Sequence, residues 1–367
     1  MSTDSTSAGL GRKSPEESGF DPERLSAAVA FAEASETPWP RDLKKALGSD
    51  PNSNEPPPWN EVLGPTRERG GPAGLIVRRG NVVATWGDIN RPDMTFSVAK
   101  SYLALLAGVA VDRGLIRDLD DPTRDYCDGY DSAQNRDITW RHMLQQCSEW
   151  EGTLFDKPDL IDRNRQTGAH ADNSRKGTHR DLQPPGEFWE YNDVRVNRLS
   201  LSLLHVFRRP LPEVFAQAIT EPIGCSDTWE WLPYRNAWVE LDGERMPSVP
   251  GGAHWGGGVL ISAADQARIG LLVAARGRWG DRQLVSPGWF DLISQPCPLK
   301  PDYGLLWWLN TKRSLYPNAP EDSLLALGAG QNLTWVAPSA DLVVIVRWIN
   351  GALTNEFIGH VMSAIDS

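Results

Sequence analysis

Apolar and β-branched runs near both ends of the chain predict strands, and longer apolar runs between them predict helices. Residues 74–86 form two β-rich runs around Arg79-Gly80-Asn81, which predicts a hairpin. Asp21 precedes Pro22 and predicts a capped helix that runs to about residue 34. Further strands are predicted at 304–309, 323–327, 333–336 and 342–348, and a closing helix at 354–365.

The middle of the chain has a different pattern. Residues 115–225 are predicted to be mainly helical with loops, with the clearest helices at 139–144 and 194–207. Residues 37–71 are rich in Pro, Asn and Gly and predict a long irregular segment. Residues 165–186 are polar and predict a mobile surface loop, for which a position over a functional site is one option.

This order of elements predicts one antiparallel sheet that is built from both ends of the chain and flanked by helices. We divide the chain into a disordered or polar N-terminal tail at 1–18, an α/β subdomain with the sheet at 19–96 and 226–367, and a mainly helical subdomain at 97–225. Together they would form one composite catalytic domain. A cleft for a small molecule is expected at the junction of the two subdomains.

Composition narrows the classes of function. The net charge is −11 and the chain has no basic run, which argues against nucleic acid and anionic membranes as partners. The N-terminus has no secretory signal pattern, and no apolar stretch approaches the ~20 residues of a membrane span. The four cysteines are scattered without metal-ligand spacing and are expected to be reduced thiols. We therefore expect a cytoplasmic enzyme that needs no metal or cofactor, and its oligomeric state stays open.

A Ser-x-x-Lys motif, Ser97 to Lys100, opens the most apolar helical run of the chain. Residues three apart on a helix share one face, so the hydroxyl and the amine can lie within hydrogen-bond reach. A serine needs a neighbouring base to become a nucleophile, and a buried lysine can serve when its neutral form is favoured. The same motif in isolation is also typical of a helix start with an exposed lysine, and the buried helix favours the catalytic interpretation.

Two other residues are candidates for proton transfer. Tyr191 precedes an apolar helix and follows a Pro-Pro-Gly turn, so its phenol can face a cleft or simply cap the core. His254 lies in Gly252-Ala-His-Trp-Gly256, and a glycine-flanked histidine in a loop is more often structural than catalytic. Some of the 16 tryptophans could line a cleft for an apolar substrate.

Thr95-Phe-Ser-Val-Ala-Lys-Ser101 followed by Tyr191-Asn-Asp193 resembles the class C β-lactamase and penicillin-recognising serine hydrolase family, and matching text continues at 138–144, 256–270 and 336–344. The resemblance covers the chain from about residue 20 to its end. It implies a β-lactamase/transpeptidase-like α/β (α+β) fold. It also implies Ser97 as nucleophile, Lys100 as general base and Tyr191 as the proton shuttle to the leaving group.

The chain departs from this family at two motifs. Asp193 replaces the asparagine of Tyr-x-Asn, and a carboxylate near Lys100 would favour the charged lysine unless it turns away or only holds the lysine in place. The third family motif has no Lys, His or Thr, and Ala326-Leu-Gly328 is its equivalent. The backbone N–H groups of Ser97 and Ala329 would form the oxyanion hole, with Gly328 in support and Gln331 as the alternative in a shifted register.

We therefore expect a serine hydrolase that cleaves an ester or amide of a small, partly apolar substrate through an acyl-enzyme, similar to esterases and nylon-oligomer hydrolases of this fold. The missing cation of the third motif argues against a dedicated β-lactamase. A β-lactamase or D,D-peptidase, an acyltransferase, and a non-catalytic binding module of the same fold are the alternatives. The sequence does not distinguish the natural substrate.

Overall fold

The computed structural model describes residues 10–49, 55–168 and 171–366. Its main sheet has seven strands in the order β1-β3-β2-β16-β15-β14-β13. Their bounds are β1 Gly11–Arg12, β2 Ala73–Arg78, β3 Asn81–Trp86, β13 Trp308–Leu309, β14 Leu324–Gly328, β15 Asn332–Ala337 and β16 Leu342–Arg347. All neighbouring strands are antiparallel except β1 and β3.

Nine further strands in the described part of the chain are short. A three-stranded sheet of order β4-β10-β7 lies beside the start of the helix that carries Ser97. The other strands form two-stranded ribbons. Their bounds are β4 Asp93–Met94, β5 Thr153–Leu154, β6 Lys157–Pro158, β7 Glu230–Leu232, β8 Trp238–Leu241, β9 Glu244–Pro247, β10 Gly258–Ile261, β11 Arg278–Trp279 and β12 Arg282–Gln283.

Helices cover both faces of the main sheet. Helix α7 packs on β2, β15 and β16 on one face, and α1 and α9 pack together on the other. Asp21 caps α1 as predicted, because its side chain accepts a hydrogen bond from Arg24 N at 3.0 Å. The bounds are α1 Pro22–Ala34, α2 Leu43–Ser49, α3 Val98–Asp112, α4 Trp140–Leu144, α5 Asp193–Phe207, α6 Leu211–Phe215, α7 Ala263–Ala274, α8 Pro287–Ile293 and α9 Thr354–Ser363.

The predicted fold class is confirmed: an antiparallel-dominated sheet takes strands from both ends of the chain and is flanked by helices. The two-subdomain division stays a prediction. Central strand β16 is buried along its whole length, which explains the continuous apolar run at 342–346.

Several local predictions differ from the structure. The sequence predicts a disordered or polar tail at 1–18, but Gly11–Arg12 pair with β3; residues 1–9 lie outside the described residues. The irregular segment 37–71 contains α2, whose short apolar pattern is hidden among prolines and glycines. Residues 115–192 hold few helical turns, because buried polar side chains rather than an apolar helix face organise this region. Only the last two residues of the predicted strand 304–309 pair in the sheet.

Helix α3 is the element that positions the candidate site. Every residue from Val98 to Ala110 is buried, between β14 and α5. No described helix is long and apolar enough to cross a membrane, and the cytoplasmic location stays a prediction.

Candidate active site

Ser97 and Lys100 meet on the first turn of α3 as their spacing predicts. The Lys100 ammonium donates a hydrogen bond to Ser97 Oγ at 2.8 Å. Ser97 is the N-cap residue of α3, yet its hydroxyl makes no capping hydrogen bond and stays available to the lysine. Ser97 is half-buried and Lys100 is buried. Ser97 is thus partly accessible, and its hydroxyl lies next to a buried amine.

The backbone before Ser97 is held in an unusual conformation. Phe96 has a φ of 51°, in the left-handed region that costs a non-glycine residue about 1 kcal/mol or more. Its ring packs edge-on against Trp39 and Trp348, with centroids 5.4 and 6.3 Å away. This aromatic packing fixes the sharp turn that presents Ser97 at the start of α3.

Lys100 is paired with Asp193, the first residue of α5. Its ammonium forms a buried ion pair with Asp193 Oδ1. Burial disfavours the charged amine, but the Asp193 carboxylate outweighs this effect and raises the pKa of Lys100. Asp193 therefore does not turn away from Lys100. It holds the lysine towards Ser97 and favours its charged form.

Tyr191 contacts Lys100 through its ring. The ammonium lies 4.7 Å from the ring centroid, which is a cation–π contact. Tyr191 also stacks on Trp308 and lies near Trp189 and Tyr303, so an aromatic wall of these four residues borders the lysine. Among the described residues, the Tyr191 hydroxyl makes no hydrogen bond to Ser97 or Lys100. The shuttle role of this hydroxyl stays a prediction.

The end of β14 lies against the segment that leads to Ser97. A Cβ on Gly328 would be 2.0 Å from the carbonyl oxygen of Thr95, so only glycine allows this approach. Ala329 follows directly, and its carbonyl accepts a hydrogen bond from Asn332 Nδ2 at 2.8 Å. The predicted oxyanion-hole residues Ser97 and Ala329 therefore belong to adjacent segments.

Arg347 links these two segments. Its buried guanidinium donates to Asn332 Oδ1 at 3.3 Å and to the carbonyl oxygen of Met94 at 3.2 Å. The side chain of Gln331, the alternative for a shifted register, instead donates to the Tyr316 hydroxyl at 2.9 Å. No described contact brings Gln331 to Ser97 or Lys100.

Gly252 closes the other side of the pair. A Cβ added there would lie 3.2 Å from Lys100 Nζ and 3.4 Å from Ser97 Oγ. The loop that contains Gly252 also brings His254 to the site. His254 Nδ1 lies 2.9 Å from Asp193 Oδ2, so this histidine is in contact with the partner of Lys100.

The sequence profile of the beta-lactamase family matches residues 60–358. The chain belongs to this family. No curated protein gives a significant match.

Several solved structures share the fold at low sequence identity. EstCE1, described as a hydrolase with promiscuous acyltransferase activity, is 16% identical with a TM-score of 0.59, over 94% of this chain and 99% of that chain. Simvastatin synthase from Aspergillus terreus is 16% identical with a TM-score of 0.57, over 92% of this chain and 98% of that chain. A candidate 6-aminohexanoate-dimer hydrolase from Bacillus anthracis is 15% identical with a TM-score of 0.59, over 79% of this chain and 77% of that chain.

This beta-lactamase family member surrounds Asp193 with a buried charge network that the sequence motifs do not reveal. Arg165 donates to Asp193 Oδ2 at 2.6 Å, and the Asp193 amide donates to Asp162 Oδ2 at 2.8 Å. His254 Nε2 lies 2.6 Å from Glu55 Oε1. Burial raises the pKa of Glu55, but the charges of His254 and Lys176 outweigh it and lower this pKa to about 2.

Glu55, Asp162 and His254 are the described group that could hold a metal, with ligand atoms within 4.8 Å of one another. The Lys176 ammonium lies among them, 2.5 Å from Glu55 and 3.4 Å from Asp162. Its charge already compensates the two carboxylates. We therefore assign no metal to this group.

The sequence does not single out four residues of this network, because each lies in a segment whose composition is typical of surface loops: Glu55, Asp162, Arg165 and Lys176. Glu55 adjoins three prolines, and Arg165 and Lys176 lie in the polar 165–186 segment. Much of that segment is exposed, but these two basic side chains reach the buried carboxylates. The high density of charged residues in these loops, which contain few apolar residues, is the only sequence feature that indicates a charge network.

Proposed function

We propose that this protein is a serine hydrolase that cleaves an ester or amide through an acyl-enzyme on Ser97. The contact between Ser97 Oγ and Lys100 Nζ carries the proposal, because it places a half-buried hydroxyl beside a fully buried amine. In its neutral form, Lys100 would accept the hydroxyl proton as Oγ bonds to the acyl carbon. That proton would pass to the departing alcohol or amine, with Tyr191 as the carrier, and water would then release the acid.

A candidate oxyanion hole at the start of α3 supports the proposal. The Ser97 amide lies at the positive end of this helix, and Ala329 follows Gly328, which closely approaches the Thr95 carbonyl. One such donor lowers the barrier by roughly 3–4 kcal/mol in known hydrolases. The proposal assigns these donors to the backbone N–H groups of Ser97 and Ala329.

The aromatic wall supports a small, partly apolar substrate. Trp189, Tyr191, Tyr303 and Trp308 form contiguous contacts beside Lys100, and Trp189 is half-buried. An apolar group of the substrate would pack on this wall. The segment Ala326-Leu-Gly328 offers no cation for a β-lactam carboxylate, so cleavage of simple esters or amides is favoured over that of penicillins.

A parallel screen tests this proposal. Short acyl p-nitrophenyl esters, acyl anilides and nitrocefin would be compared at equal concentration for wild type and Ser97→Ala. We expect turnover of esters or anilides to exceed that of nitrocefin and to vanish in Ser97→Ala. Faster nitrocefin turnover would favour a β-lactamase, and products that contain an added alcohol would favour an acyltransferase. Equal turnover by Ser97→Ala would contradict the proposal.

A further inference from the structure

His254 lies between two carboxylates and contacts one with each ring nitrogen. Nδ1 is 2.9 Å from Asp193 Oδ2, and Nε2 is 2.6 Å from Glu55 Oε1. All three side chains are at most 6% exposed. A neutral imidazole has one N–H and one nitrogen lone pair, so in one of these two contacts the nitrogen lone pair would face a lone pair of the carboxylate oxygen. The doubly protonated ring satisfies both.

The charges around this histidine do not balance when all groups are ionised. Three carboxylates, Glu55, Asp162 and Asp193, face four basic groups, Lys100, Arg165, Lys176 and His254, within the described residues. The Lys157 ammonium lies 5.0 Å from the centroid of the Trp255 ring, and as another basic group it does not offset this excess of positive charge. A buried net charge is costly, so the loss of one proton from the cluster is favoured.

Lys100 is held by fewer carboxylates than the other basic groups of this cluster. Arg165 stays charged at any accessible pH. His254 and Lys176 each contact two carboxylates, whereas Lys100 contacts only Asp193. The second oxygen of Asp193 is shared by Arg165 and His254, which weakens its attraction for Lys100.

We propose that His254, held as an imidazolium by Glu55, is a positioning residue that draws the charge of Asp193 away from Lys100 and so allows Lys100 to act as the base for Ser97. This inference rests on the proposed function, in which neutral Lys100 accepts the Ser97 proton. The Oγ–H bond then breaks as the bond from Oγ to the acyl carbon forms, and the proton reaches the leaving group as its bond to that carbon breaks.

The electrostatics of the ring agree with this role. Burial disfavours the imidazolium, but the charges of Glu55 and Asp162 and the hydrogen bonds with Asp193 and Glu55 raise the pKa of His254. A positive charge 2.9 Å from Asp193 Oδ2 opposes the attraction of this carboxylate for the Lys100 ammonium. Removal of the imidazolium charge therefore moves base function to higher pH.

The test uses His254→Asn, whose amide can still donate to Asp193 but carries no charge. The rate constant for labelling by a fluorophosphonate probe would be measured from pH 6 to 10. We expect the rising limb to move up by about one pH unit, which is tenfold slower labelling on that limb, while the rate at the high-pH end is retained. Glu55→Gln should shift it in the same direction by less, because Glu55 acts through His254.

The matched control is His142→Asn. His142 lies at the start of α4, where it completes the cap with Thr139, and it has no described contact with Asp193 or Lys100. The rising limb of the pH profile of His142→Asn should stay in place even if the melting temperature of this variant falls. In an Asp193→Asn background, His254→Asn should slow labelling less than twofold, because the carboxylate through which it acts is gone. A purely structural role would persist in that background.

The protonation of the ring provides a second measurement on the wild-type protein. Nitrogen-15 NMR, assigned with His254→Asn or with Glu55→Gln if the former does not fold, should show both ring nitrogens protonated from pH 6 to 8. A neutral ring, or an unmoved limb in a folded His254→Asn, would overturn this inference and leave the proposed function intact. A wild-type protein that is unlabelled at every pH would overturn both.

Discussion

Lys100 and Asp193 form a buried ion pair directly behind Ser97, with side chains 2% and 6% exposed. The carboxylate fixes the lysine within 2.8 Å of Ser97 Oγ and at the same time raises its pKa. The ion pair that orients Lys100 towards Ser97 thus also favours the charged form, in which the lysine cannot accept a proton.

Replacement of Lys100 tests the base. We expect Lys100→Met to slow ester turnover by roughly 10²–10⁴-fold, the usual contribution of general base catalysis. It should also lower stability by about 3 kcal/mol, because Asp193 loses a buried partner. The double variant Lys100→Met/Asp193→Asn should recover stability, as seen by urea unfolding, but not turnover. Recovered turnover in the double variant would remove Lys100 from the mechanism.

Tyr191 tests whether the hydroxyl or the ring matters. Tyr191→Phe keeps the cation–π contact with Lys100 and the stack on Trp308. We expect it to slow turnover by about 10²-fold with an unchanged melting temperature, because only the proton carrier is lost. Tyr191→Leu should lower both the turnover and the melting temperature. Near-normal kcat in Tyr191→Phe would restrict Tyr191 to a packing role.

Gly252 tests the space beside the candidate nucleophile. The Cβ of Gly252→Ala would lie 3.2 Å from Lys100 Nζ and must displace the amine by a few tenths of an ångström. We expect about tenfold lower kcat/KM, since small displacements of reacting groups are costly, with little change in stability. The matched control is Gly48→Ala in α2, which has open space around its Cβ and should be slightly more stable and fully active. Full activity in Gly252→Ala would show that this glycine does not constrain the pair.

Arg347 tests the link between the two sides of the proposed oxyanion hole. Lysine cannot span Asn332 and the Met94 carbonyl together, so Arg347→Lys should lower stability by about 2 kcal/mol and slow turnover. Arg78→Lys is the control, because Arg78 is also buried but donates to the Gly19 carbonyl oxygen and has no described contact with Ser97. Urea unfolding and kcat should separate the two variants. Equal kcat losses in both would indicate a general packing effect.

Local pattern was sufficient for the elements that carry the site. The apolar run after Ser97 predicts α3, and the apolar runs that end near Gly328 and Arg347 predict the buried strands β14 and β16. The spacing of Ser97 and Lys100 on one turn predicts their contact directly. These are short-range relations, which a sequence displays without knowledge of the fold.

The network around Asp193 could not be predicted in this way. Glu55 and His254 are 199 residues apart and meet only after the chain has folded. Lys176 and Arg165 lie in a polar segment whose composition is equally typical of a solvated loop. Their burial depends on partner charges from other segments, and periodicity carries no information about such partners.

The central claim is that Ser97 is the residue that becomes acylated. Intact-mass spectrometry after reaction with a fluorophosphonate, followed by peptide mapping, tests it most directly. We predict one adduct per chain, located on Ser97 and absent from Ser97→Ala, with turnover lost in proportion to labelling. A protein that turns over esters but gains no adduct, or an adduct located on another residue, would contradict the account.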